Sequence, residues 1–171
     1  MHYSGYLGAA NLHNVKLRLK DKGYTIDLFK GSVVVTNHIL SIPDISGAFN
    51  EAAFHCKGII QNPLLHLVNP NENLTGKLEL NIAELDLTKL KPPSQSKKNA
   101  KKSSFNPLDH VALDITVKAK KIITKNGPVE NLWITCSQNN NKLDIRSLAF
   151  NYQDGKVMGS GDVTLGKQGI S

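Results

Sequence analysis

The chain has 171 residues, a formal net charge of +7, 40% hydrophobic and 6% aromatic content, enough length and apolar material for a sizeable core. Five of those charges, Lys91, Lys97, Lys98, Lys101 and Lys102, fall in residues 91–104, where there is no acid; the basicity is a local insert, which argues against a nucleic-acid-binding face. Two cysteines, Cys56 and Cys136, are too few for a disulfide framework and read as small apolar strand positions.

In chain order, Val15, Leu17 and Leu19 alternate with Lys16, Arg18 and Lys20, and after Asp21-Lys-Gly23 the pattern resumes at Tyr24, Ile26 and Leu28. This period of two marks strands with one apolar face. Further strands are expected at Val33 to Val35, Ile39 to Ile42, Ile45 to Phe49, Ala53 to Ile60 and Gly76 to Ile82. Asn62-Pro63 supplies an N-cap and first turn for a short helix over Pro63 to Val68, and Asp86 could cap another through Leu90.

Residues 91–104, with a Pro pair and almost no apolar side chain, lack the surface to order themselves and read as a disordered insert. They separate a first β unit (1–90) from a second (105–171). In the second unit Val111, Leu113, Ile115 and Val117 alternate, a turn at Lys125-Asn-Gly-Pro128 leads to Leu132, Ile134 and Cys136, and Asn139-Asn-Asn141 leads to the strands before and after Asp154-Gly155.

Sliding the chain against itself by 103 positions aligns Leu40 with Leu143, Ile42 with Ile145, Ile45 with Leu148, Phe49 with Tyr152, Phe54 with Val157, Gly58 with Gly161 and Ile60 with Val163. The two halves therefore read as copies of one β unit, a kind that stacks on its neighbour. With Asp154-Gly155 as a two-residue turn, Tyr152 should face Val157, Phe150 Gly159 and Leu148 Gly161. The first copy should pair Phe49 with Phe54, Gly47 with Cys56 and Ile45 with Gly58. The expected fold is all-β, an antiparallel curved sheet of repeated units with one or two short helices.

Little in the sequence points to chemistry. His2, His13, His38, His55, His66 and His110 are scattered without metal-ligand spacing, and no acid is placed to orient one. Asp114, Asp144 and Asp162 fall on the polar phase of strands, and Gly159-Ser-Gly161 lacks the following helix of a nucleophile elbow. No catalytic residue, metal or cofactor is expected, so the chain reads as non-enzymatic.

The stretches 126–136 (NGPVENLWITC), 141–150 (NKLDIRSLAF) and 155–165 (GKVMGSGDVTL) resemble the C-terminal region of AsmA-like proteins. Residues 39–49, 55–64 and 74–87 are similar to an upstream unit of the same family, in the style of its Bacteroidota versions. The resemblance implies a β-groove segment of the Gram-negative cell envelope, in the periplasm, tethered to the inner membrane in full-length members. It further implies support of phospholipid transport or outer-membrane integrity, with envelope or outer-membrane proteins as partners. This chain shows neither leader nor anchor pattern and reads as a C-terminal fragment of such a protein.

An apolar sheet face fits that reading by shielding phospholipid acyl chains from water. Its expected lining is Leu40, Ile42, Ile45, Phe49, Phe54 and Ile60 in the first copy, and Leu143, Ile145, Leu148, Phe150, Tyr152, Val157 and Val163 in the second. Lys97, Lys98, Lys101 and Lys102 could contact anionic headgroups, and no nucleic-acid partner is expected. The alternative is a closed β-sandwich serving as a structural or binding module, because its core would need the same alternation.

Overall fold

Alternation with a period of two places apolar side chains on one side of a pleated strand, and most of the described residues lie in such strands. The computed structural model describes residues 7–19, 24–36, 38–69, 71–90, 110–139, 142–166 and 169–170. The strands are β1 (Leu7–Leu19), β2 (Tyr24–Thr36), β3 (Ile39–Phe49), β4 (Ala52–Gln61) and β5 (Leu74–Asp86), then β6 (Val111–Thr124), β7 (Gly127–Asn139), β8 (Lys142–Tyr152), β9 (Gly155–Gly166) and β10 (Gly169–Ile170). One helix, α1 (Pro63–Val68), lies between β4 and β5.

The strands lie side by side in chain order in one curved, unclosed sheet. Every neighbouring pair is antiparallel except β5 and β6, which run parallel from Leu74↔Val111 to Asp86↔Ile123. The described residues thus form a single layer. Their buried apolar residues are only Ala48, Val111, Ala119 and Cys136, and no large side chain is fully buried. A closed sandwich would bury large side chains between two sheets; among the described residues the apolar face has no second sheet over it.

The internal repeat is geometric as well as sequential. In β2–β3–β4 the pairs Ile26↔Phe49, Lys30↔Ser46, Ser32↔Asp44, Ile42↔Gly58 and Ile45↔Cys56 hold the strands together. In β7–β8–β9 the residues 103 positions later pair the same way: Val129↔Tyr152, Trp133↔Ala149, Thr135↔Ser147, Ile145↔Gly161 and Leu148↔Gly159. The register shifts recur too, between Ile42 and Ile45 in β3 and between Ile145 and Leu148 in β8.

The hairpin register expected from Asp154-Gly155 is corrected by two residues. Tyr152 pairs with Gly155, Phe150 with Val157 and Leu148 with Gly159, while in the first copy Phe49 pairs with Ala52, Gly47 with Phe54 and Ile45 with Cys56. The turns sit one residue earlier, because Gln153 (φ 51°) and the pair Asn50 (φ 45°) and Glu51 (φ 74°) take the left-handed conformation that tight hairpins need. Asn50 holds its turn by accepting from the Thr25 N–H at 2.8 Å and donating its own N–H to Thr25 O at 3.0 Å. A shift of two leaves every side chain on its original face.

Two other breaks expected from the sequence are absent. Tyr24–Thr36 is continuous through Lys30-Gly31-Ser32, and Ile39–Phe49 continues through Pro43, which sits in the β3 irregularity where its missing N–H is tolerated. The α1 helix has its expected bounds, but Asn62 is left-handed and makes no side-chain cap; its amide donates instead to Asn73 O at 3.4 Å. Asp86 accepts from Thr88 N–H (2.9 Å) and Thr88 Oγ1 (2.5 Å), stabilising a turn rather than a second helix. The expected turns at 21–23 and 140–141 and the lysine insert lie outside the described residues.

Candidate functional site

Cross-strand partners share a face, so the register maps the apolar surface residue by residue. One row runs Ile45, Cys56, Leu80, Val117, Ile134, Leu148 and Gly159 from β3 to β9. Beside it run Ile42, Gly58, Leu78, Ile115, Cys136, Ile145 and Gly161, and then Leu40, Ile60, Gly76, Leu113, Gln138, Leu143 and Val163. Toward the other strand ends, Leu28, Gly47, Phe54, Ile82, Ala119 and Leu132 make a fourth row.

All thirteen residues named from the sequence fall on this face. Leu40, Ile42, Ile45, Phe49, Phe54 and Ile60 occupy its first half, and Leu143, Ile145, Leu148, Phe150, Tyr152, Val157 and Val163 its second. The sequence reading omitted the strands that join the two halves. Leu78, Leu80 and Ile82 on β5, Leu113, Ile115 and Val117 on β6, and Leu132 and Ile134 on β7 complete the rows. Their alternation carries the same signal, but they lie outside the positions that the 103-residue repeat aligns.

Most of these side chains are half-buried although, among the described residues, no second layer lies over them. Their cover comes from neighbours on the same face, with large groups lying over glycines. A Cβ on Gly31 would meet Ile45 at 2.7 Å, one on Gly47 would meet Phe54 at 3.1 Å and one on Gly58 would meet Leu78 at 2.6 Å. Gly159 and Gly161, on β9, have nothing within 4 Å. A hollow of ≈ 230 Å³ opens among Ile26, Phe49, Ala52, Phe54, Leu80, Ile82 and Leu85, all apolar.

The opposite face carries ion pairs, together with the exposed apolar side chains of Ile59, Trp133 and Met158. Lys57 and Lys118 reach Glu79 at 3.1 and 3.0 Å, Arg146 reaches Asp114 at 2.8 Å and Lys142 reaches Asp162 at 3.2 Å. The Lys118 and then the Lys57 ammonium groups hold the Glu79 carboxyl down at about 2, since each bonds only to the charged form. Lys118 also lies 5.4 Å from the Trp133 ring centroid, within cation–π range.

The reading that no acid orients a histidine is overturned at one position. Asp44 Oδ1 pairs with His55 Nε2 across neighbouring strands, a contact that the irregularity at Pro43-Asp44 makes and that sequence spacing does not reveal. Both side chains are about half exposed, at 45% and 50%, so the pair faces water. Burial pushes the Cys56 and Cys136 thiols up, keeping them protonated and poorly nucleophilic. Tyr152 Oη donates to Asn126 O at 2.6 Å, anchoring its ring at the rim of the apolar face.

No protein-family model, curated protein or solved structure matches the chain. Among the described residues no group of His, Cys, Asp and Glu could hold a metal ion, and no helix is long and apolar enough to cross a membrane. The lysines considered for headgroup contact, Lys97, Lys98, Lys101 and Lys102, lie outside the described residues.

Proposed function

We propose that the apolar face is the wall of a lipid-shielding β-groove, and that the chain is a non-enzymatic segment of an AsmA-like protein of the Gram-negative envelope. The observation that carries this reading is the apolar surface from β3 to β9, whose rows are interrupted by Gln138, on a sheet whose described residues form a single layer. A soluble fold ordinarily hides so extended a surface under a second layer, and one left uncovered marks an interaction site. The ion pairs lie on the opposite face, where their charges meet water.

The physical account requires no catalytic group. The seven strands from β3 to β9 at roughly 4.8 Å spacing make an apolar surface about 29 Å across. Each methylene removed from water contributes about 0.8 kcal/mol, so a sixteen-carbon acyl chain gains at most about 13 kcal/mol from full cover. Rows of similar aliphatic groups give that cover at many positions, and a chain can slide along them without passing through water. The function is thus the support of phospholipid transport between membranes, or of outer-membrane assembly, in the periplasm.

Purification from a lipid-rich bacterial host followed by extraction and mass spectrometry should recover phospholipid in stoichiometric amount. A lipid-free monomer with a cooperative melt would refute the reading. Phe150→Asp is expected to abolish lipid recovery while leaving the strand signal in circular dichroism, because Phe150 faces the open apolar surface opposite Val157. Unfolding by that substitution would place Phe150 in a closed core instead.

A further inference from the structure

Register also maps the face turned away from the apolar rows. His55, Asn81, Lys118 and Trp133 are successive cross-strand partners from β4 to β7, so they stand side by side on that face. Two residues along their strands come Ala53, Ala83 and Lys120, on the same face by the period of two. Both alanines are exposed, and between the taller side chains they leave a hollow of ≈ 610 Å³, within the range of about 300–1,000 Å³ usual for small-molecule sites. It is built on the central strands β4 to β7, so neither outer strand of the sheet contributes to it.

The lining contains Lys118 and Lys120 and no Asp or Glu. Lys118 is steadied by Glu79 at 3.0 Å and lies 5.4 Å from the Trp133 ring centroid; Glu79 is itself matched by both Lys57 and Lys118. Lys120 is exposed and, among the described residues, has no ion pair. Asn131 takes φ 51° in the β7 irregularity between Glu130 and Trp133, and such a bulge re-aims the side chains beside it. Trp133 is 51% exposed. The residue 103 positions earlier is Lys30, opposite Ser46 as Trp133 is opposite Ala149. The repeated sheet therefore does not require an indole at this place.

We propose that this hollow binds an acidic saccharide, with a sugar ring packed by its C–H face on Trp133 and a carboxylate held by Lys120 and Lys118. Sugar hydroxyls both donate and accept, which suits the Asn81 and Asn131 amides and the His55 imidazole that Asp44 holds. A purely apolar ligand would gain nothing from the two ammonium groups. A nucleobase gains most where aromatic rings stack on it, and here Lys118 already shares the single indole; Phe54 turns to the other face with Gly47 and Ile82. Sugar hydroxyls can instead accept from that same ammonium. The site lies on the far side of the sheet from the apolar rows and stands whether or not they carry lipid.

Trp133 is the only tryptophan in the chain, so its emission reports this hollow directly. The probes are trigalacturonate, the neutral trisaccharide maltotriose and AMP, each titrated into the whole chain at low ionic strength. Trigalacturonate should change the emission saturably, and maltotriose and AMP should bind at least tenfold more weakly. Lys120→Ala, at an exposed position without an ion pair, should leave the melt unchanged and weaken trigalacturonate at least tenfold. Trp133→Lys, which places the first copy's residue there, adds a charge but removes the platform; it should weaken trigalacturonate at least tenfold by calorimetry. Absence of a saturable change, maltotriose or AMP binding as tightly, indifference to Lys120→Ala, or unchanged or tighter binding by Trp133→Lys would each overturn the proposal.

Discussion

Gly58 and Gly161 occupy the same place in the two copies, and their surroundings predict opposite responses to one methyl group. At Gly58 an added Cβ would press on the Lys77 carbonyl oxygen and lie 2.6 Å from Leu78 Cδ2, contacts that force β4 and β5 apart at about 1–3 kcal/mol. Replacing Gly by Ala also removes freedom from the unfolded chain, which contributes about 0.4–1 kcal/mol in favour of folding. Gly58→Ala should then lose about 1–2 kcal/mol net, and Gly161→Ala, with open space above it, should gain about 0.4–1 kcal/mol. For a chain of this size each kilocalorie moves Tm by about 2–4 °C. Calorimetry should therefore find Tm lowered by roughly 2–8 °C for Gly58→Ala and raised by roughly 1–4 °C for Gly161→Ala. Equal shifts of the same sign would refute the claim that β5 closes over one copy while the other lies open.

Glu79, held at about 2 from an ordinary 4.5, contributes stability at pH values above its unfolded pKa; that contribution is lost as pH falls toward 2, where the folded carboxyl takes up its proton. The Tm difference between the native chain and Glu79→Gln should be largest near neutrality and shrink to nothing between about pH 4.5 and pH 2, as read by thermal melts across that range. Glu51, second residue of the β3–β4 turn with φ 74°, is held in a conformation that costs a side-chain-bearing residue about 1–2 kcal/mol. Glu51→Gly should raise Tm by several degrees in the same assay, and a fall would show that its side chain holds the turn.

The all-β sheet was legible because alternation directly reports which phase of a strand is apolar. The thirteen lining residues reached one face for the same reason, and the register error of two residues left that face intact. Turn position was less legible: Asp154-Gly155 has the composition of a hairpin turn, yet Gly155 serves as the strand residue opposite Tyr152, and the left-handed position falls to Gln153. Pro43 looked like a break but fills an irregularity within β3. The Asp44–His55 pair was illegible because it depends on that irregularity and on cross-strand contact. Nothing in local pattern revealed that β5 and β6 run parallel, since direction is decided by the path of the connection rather than by the strands.

That parallel pairing sets a minimum length for the lysine-rich part of the chain. Asp86 ends β5 beside Ile123, whereas β6 begins beside Leu74, so the two ends of the connection 87–110 lie about 40 Å apart at 3.3 Å per residue. Leu87 is also held to Ile123 O at 3.0 Å, and Leu90 N–H turns back to Leu87 O, which uses up several residues before the return begins. Removing 91–104 would leave ten residues, whose fully extended reach of roughly 35 Å falls short. The lysines could be exchanged for other polar residues, but not cut out, without parting β5 from β6 and dividing the sheet in two.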